Sequence, residues 1–207
     1  MLKPVGPMRR TLLILVLTVL VWSGIQPHDR FTWFLEVAPV LVGIPILLLT
    51  ANRFPLTLLT CVLLAIHACI LMVGGKYTYA EVPLGYWLEG AFGWTRNNYD
   101  RIGHFAQGFV PAIVGREILL RTSPLRRGKW LAFLVVCICL AISATYELVE
   151  WGTAVSTGGA ADAFLGTQGD PWDTQEDMAM AAVGAVVALL TLTGVQDRQL
   201  ERAAVGR

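Results

Sequence analysis

The apolar residues of this 207-residue chain fall into six blocks of about 15 to 22 residues, each bounded by polar or charged punctuation. A helix of that length crosses a bilayer core of roughly 30 Å. In lipid, only helices and closed barrels satisfy every backbone polar group. The blocks run from Thr11 to Ile25, Phe31 to Ala51, Leu56 to Val73, Ile102 to Leu120, Trp130 to Trp151 and Met178 to Val195. The fold class expected is therefore all-α: a polytopic membrane bundle of about six transmembrane helices. Composition agrees, with 55% hydrophobic residues, 15% charged and a mean hydropathy of +0.59. A formal net charge of +1 leaves no basic field for nucleic acid. The lipid bilayer is the expected partner. Cys61, Cys69, Cys137 and Cys139 all lie inside apolar blocks and read as small hydrophobes.

The first block follows Arg9 and Arg10 but lacks an A-x-A-like cleavage site after it, so it reads as a retained helix. The second contains Pro39, Gly43 and Pro45, which membrane spans tolerate, and a kink is expected there. Basic residues in short loops stay cytoplasmic. Eleven of the sixteen fall on one side: Lys3, Arg9, Arg10, Arg53, Arg121, Arg126, Arg127, Lys129, Arg198, Arg202 and Arg207. Arg30, Lys76, Arg96 and Arg101 fall on the other, with Arg116 inside a span. Both termini are expected in the cytoplasm. The chain reads as one integral membrane domain over 1–207. The first three spans occupy 1–73, a motif-bearing core with spans four to six and two long outer loops occupies 74–195, and a cytoplasmic tail follows at 196–207.

The outer loops hold acidic and aromatic residues. Tyr77, Tyr79, Tyr86, Trp87, Phe92, Trp94 and Tyr99 crowd the first, and Asp162, Asp170, Asp173 and Glu176 mark the second. The aromatic set suits an interfacial belt or, alternatively, the rim of a site for an amphipathic substrate.

Charges within spans are costly and mark function by default. Here they converge. Asp100, His104 and Gln107 share one face of the fourth span by their spacings of four and three. Glu147 and Glu150 are one turn apart near the end of the fifth, and Asp173 and Asp177 share a face at the start of the sixth, behind Asp170. Glu36 and His67 lie in the outer halves of their spans and could extend the set, whereas Arg116 and Glu117 at the far end of the fourth span look structural. So many carboxylates in a small, partly dehydrated volume repel one another unless compensated. A divalent metal ion is one solution, held by Asp100, His104, Glu147, Glu150 and Asp177 as such sites are built in bundle cores. The other is a network in which Asp170, Asp173 and Asp100 cap helix N-termini. The series Asp170, Asp173, Asp177 lacks the spacing, central Gly and twelfth-position Glu of an EF-hand. Small residues four apart, Gly108 with Ala112, Ala181 with Ala185 and Gly184 with Ala188, predict close packing among spans four to six.

Three stretches, Asp100-Arg-Ile-Gly-His104-Phe105, Ser143-Ala-Thr-Tyr-Glu147-Leu-Val-Glu150-Trp151 and Phe164-Leu-Gly-Thr-Gln-Gly-Asp170-Pro-Trp-Asp173-Thr-Gln-Glu-Asp177-Met178, resemble the bacterial inner-membrane family typified by YjdF. The resemblance implies a multi-pass inner-membrane protein and supplies no activity. Asp100-x-x-x-His104 at the start of a span is more faintly similar to VanZ-like membrane proteins. Three functions are compatible with the residues. One is a metal-dependent hydrolase or transferase acting on a lipid-linked or phosphorylated substrate at the outer face. The others are a cation- or proton-binding transport protein and a structural envelope protein.

Overall fold

The computed structural model describes residues 6–157 and 162–205, and among them all regular structure is helical. Lys3 and Arg207 lie outside the described residues, as does the side chain of Asp162. Six helices are long: α1 (Pro7–Gly24), α2 (Arg30–Thr50), α3 (Leu58–Tyr77), α5 (Tyr99–Thr122), α6 (Lys129–Thr157) and α8 (Asp173–Val205). Between them lie the short α4 (Pro83–Phe92), preceded by a 3-10 turn at Tyr79–Glu81, and α7 (Asp162–Leu165). With 18 to 33 residues each, the long helices extend roughly 27 to 50 Å, enough to cross the membrane. Five of them, α1, α2, α3, α6 and α8, are also apolar enough to do so. The sixth, α5, carries Asp100, Arg101, His104, Arg116 and Glu117 and stands in the middle of the bundle.

The helices form two layers. In one, α1 and α2 both pack on α3; in the other, α5, α6 and α8 pack on one another, and α3 joins the layers through α5. The first layer closes around Val16, Val37, Val40, Ala65 and Met72, the second around Val110, Ile113, Leu131, Val135, Cys139 and Ala185. On the perimeter Leu49, Trp130, Leu148, Val155 and Leu190 project outward and exposed. A soluble protein would not carry so continuous an apolar surface. Hydroxyls on this perimeter are satisfied within their own helix: Thr18, Thr145 and Thr191 donate to the carbonyls of Ile14, Ala141 and Val187 at 2.7–2.8 Å.

The tightest contact is between α5 and α8, where the predicted small residues lie. A Cβ on Gly108 would strike the backbone carbonyl of Ala181, and one on Gly184 would strike that of Phe105. Each glycine thus gives its position to a carbonyl of the opposite helix. The second span runs as one continuous helix with Pro39 and Pro45 inside it.

Three segments differ from the sequence reading. The stretch after Val73 holds the last turn of α3, the 3-10 turn and α4. The sixth span begins at Asp173 and α6 runs to Thr157, because neither helix ends where its apolar run does. The expected tail at 196–207 continues as helix to Val205. There Gln196 is fully buried, accepting from Arg116 Nη1 at 2.8 Å and donating to the Ile113 carbonyl at 2.7 Å, while Asp197 pairs with Arg116 at 2.8 Å. Arg116 and Glu117 are anchors, as expected. Glu117 is fully buried, accepts from Thr57 N and Oγ1 and Thr60 Oγ1 at 2.6–2.9 Å, and pairs with Arg121. Arg9 donates to the Leu56 carbonyl and Leu59 N to Gln199. The starts of α1 and α3 and the end of α8 therefore share one end of the bundle.

Candidate functional site

The opposite end gathers the ionisable residues. In α5, the first two turns present Asp100, Arg101, His104 and Gln107 together, since residues three and four apart share a helix face. His104 is buried, with Nδ1 3.2 Å from Gln107 Oε1. Its Nε2 is 3.5 Å from Asp100 Oδ1, 3.8 Å from Glu147 Oε1 on α6 and 3.8 Å from Asp177 Oδ2 on α8. One imidazole nitrogen therefore faces carboxylates from three helices. Asp100, His104 and Asp177 form one triad, and His104, Glu147 and Glu150 another; within each, one ligand atom per residue lies within 4.8 Å of the others. Glu147 is buried, and its Oε1 has no hydrogen-bond donor among the described residues. An unpaired carboxylate oxygen in such a place carries a desolvation cost of several kcal/mol.

Asp170 and Asp173 belong to an adjoining ion-pair cluster centred on two arginines that the sequence reading had placed among loop charges. Arg96 reaches Asp170 at 3.0 Å and Asp173 at 2.9 Å. Arg101, on α5, reaches Asp170 and Asp173 at 3.2 Å and Glu176 at 2.7 Å, and pairs with Asp177 Oδ1. These guanidiniums supply the positive charge that the sequence reading sought from a metal, for this half of the acidic set. Asp177 belongs to both halves, with one oxygen on Arg101 and the other facing His104. Asp170 also caps the turn before α8, accepting from Trp172 N at 2.9 Å. That bond closes the turn ahead of α8, which starts at Asp173, and Asp100 lies inside α5, whose N-cap residue Asn98 makes no side-chain cap bond.

The loops carrying these arginines and aspartates are locked together. Asn97 N donates to Gln168 Oε1 at 3.0 Å and Gln168 Nε2 donates back to the Asn97 carbonyl at 2.9 Å. Gly166 and Gly169 adopt φ of +58° and +84°, which the turn into α8 requires and side chains resist. On the other flank, Tyr146 Oη donates to Glu36 on α2 at 3.0 Å, so Glu36 borders the cluster through α6. His67, on α3, lines an open cavity between α1, α2 and α3. Beside Arg101, a cavity of about 580 Å³ opens between α5 and α8, walled by Trp94, Ile102, Phe105 and Met180. The other aromatics divide: Tyr79 and Tyr99 are buried, whereas Tyr86, Trp87 and Phe92 of α4 are exposed, as a membrane-interface belt requires.

Sequence spacing was enough to find the members on the cluster's own helix faces. It missed Arg96 and Arg101, although Arg101 stands in the same first turns of α5 as Asp100 and His104, opposite an Asp173/Glu176/Asp177 series of matching period.

A two-layered bundle with ionisable residues buried between its spans is a multi-pass membrane protein. The chain belongs to the family described as "Predicted membrane protein (DUF2238)", which matches residues 8–198. It is similar to "Inner membrane protein YjdF" of Escherichia coli (strain K12), with 53% identity over 184 residues that cover 89% of this chain and 88% of the relative. It is accordingly an inner-membrane protein. No solved structure matches it.

Proposed function

We propose that the Asp100–His104–Glu147–Asp177 cluster, with Glu150 at its edge, binds a divalent cation and is the active centre of a hydrolase or transferase acting on a lipid-linked or phosphorylated substrate. The observation that carries this reading is Glu147 Oε1, buried without a donor and facing an imidazole nitrogen that also faces two aspartates. A cation at that point would satisfy the oxygen and offset the repulsion among carboxylates that the arginines do not reach. Oxygen ligands with one imidazole suit Zn, Mn, Fe or Mg. Such an ion would activate a water or polarise a phosphoryl oxygen, and a carboxylate outside its ligand set would move the proton. The apolar cavity beside Arg101 favours an amphipathic substrate reached from the bilayer.

Elemental analysis of the detergent-purified protein tests the reading. The expected result is about one divalent metal per chain, lost in Glu147→Gln. A metal-free wild-type protein, with the variant equally stable, would sink it and leave the cluster a structural network.

The distribution of basic residues supports an orientation with the cluster at the periplasmic face and both termini in the cytoplasm. A phosphatase-type reporter fused after Thr167 is expected to be active and one fused after Arg127 inactive. The reverse pattern overturns the orientation.

A further inference from the structure

From the end of the bundle away from the acidic cluster, an open cavity of about 380 Å³ runs inward between α1, α2 and α3. Its wall is apolar, formed by residues such as Val40, Gly43 and Leu47, and Arg9 and Arg10 line its mouth with Phe54. A Cβ on Gly43 would meet nothing within 4 Å, so the space continues up to the α2 backbone. Arg9 donates to a neutral acceptor, the Leu56 carbonyl at 2.5 Å, and makes no ion pair among the described residues. Arg10 makes no side-chain hydrogen bond or ion pair among the described residues. A third guanidinium, that of Arg121, stacks at 3.6 Å on the Phe54 ring.

Among the described residues no carboxylate lines this cavity, and Asp197 and Glu201, at the same end of the bundle, pair with Arg116 and Arg127. Asp29 caps the opposite end of α2 by accepting from Thr32 N, and Glu36 is bonded to Tyr146. Glu117 has both oxygens engaged by Thr57, Thr60 and Arg121. An apolar slot ending in unpaired arginines matches a molecule with a hydrocarbon chain and an anionic head. It does not match a zwitterionic lipid, whose ammonium would meet no acid.

We propose that this cavity binds an anionic phospholipid, with an acyl chain along Val40, Gly43 and Leu47 and its phosphate on Arg9 and Arg10. The site shares no residue with the acidic cluster and does not depend on what that cluster does. Basic pockets between helices at the membrane edge recognise anionic head groups in this manner, with a contribution per arginine equivalent to about fivefold in affinity.

The test is native mass spectrometry of the purified full-length protein given phosphatidylglycerol and phosphatidylethanolamine in equal amounts. Wild type is expected to retain phosphatidylglycerol preferentially. Arg10→Gln, on an exposed side chain, is expected to lower the ratio of the two lipids about fivefold without changing the melting midpoint in phosphatidylethanolamine alone. Gly43→Phe, which fills the slot, is expected to reduce retained lipid of either kind. Equal retention of the two lipids by wild type, or a preference that survives Arg10→Gln, overturns the proposal whether or not the Gly43 variant folds.

Discussion

Replacing Arg101 by Met is expected to lower stability by about 3–5 kcal/mol, the range for removing one partner of a buried ion pair. Its side chain is only 11% exposed, and its guanidinium meets Asp170, Asp173, Glu176 and Asp177. Without it, Arg96 still reaches Asp170 and Asp173, but Asp177 is left with no cationic partner other than His104. Most of the loss comes from that stranded carboxylate rather than from the attraction itself. For a domain of this size the melting midpoint should fall by about 6–20 °C, measured by heating in detergent followed by size-exclusion chromatography. Arg127→Met provides the comparison, because Arg127 is half-exposed where it pairs with Asp197 and Glu201; exposed pairs contribute about 0–1 kcal/mol. If the two variants melt together, the ion-pair cluster is not what holds this end of the bundle.

The second large effect is steric. Gly108→Ala adds one methyl group, yet that methyl meets the Ala181 backbone, and no side-chain rotation can relieve it. Overpacking typically costs about 1–3 kcal/mol, and more when the obstacle cannot move. Here α8 must shift away from α5, taking Asp177 with it, so the variant is expected to lose about 3 kcal/mol or more. Gly152→Ala, on α6 with nothing within 4 Å of the added carbon, should be neutral or slightly stabilising, because alanine is the better helix former. Melting midpoints of the two variants side by side check this. Equal behaviour would mean that the α5–α8 contact tolerates separation.

The spans were legible in the sequence because lipid imposes a length and a polarity that a simple pattern can meet. Their ends were less so. Hydropathy reports where a helix leaves the hydrocarbon, whereas α8 continues through Gln196, Asp197 and Gln199, held by hydrogen bonds to Arg116, Ile113 and Leu59. Helix α4 was hidden for the related reason that a ten-residue interfacial helix is too short to read as a span. For the site, period alone put Asp100 with His104 and Asp173 with Asp177. It could not show that Arg101 turns toward α8, nor divide the acids between arginines and imidazole, because those facts depend on how helices distant in sequence are rotated against one another. Glu36 and His67 make the same point: both are ionisable residues in spans, but one borders the cluster through Tyr146 and the other lines the cavity between α1, α2 and α3.

The central position of α5 has a consequence for how the protein is made. At one end its Arg101 depends on Asp173, Glu176 and Asp177, and at the other its Arg116 depends on Gln196 and Asp197. All of these partners lie on α8, some 70 to 80 residues further along the chain. Each unpartnered charge opposes insertion, by at most about 2.5–3.5 kcal/mol at mid-span and by less toward the helix ends, so α5 is a poor guest of the bilayer when it leaves the ribosome. Its stable residence in lipid must await synthesis of the last helix, which makes biogenesis a single late commitment: a chain cut short before Asp173 would keep its most polar span without the partners that allow it to remain in the membrane.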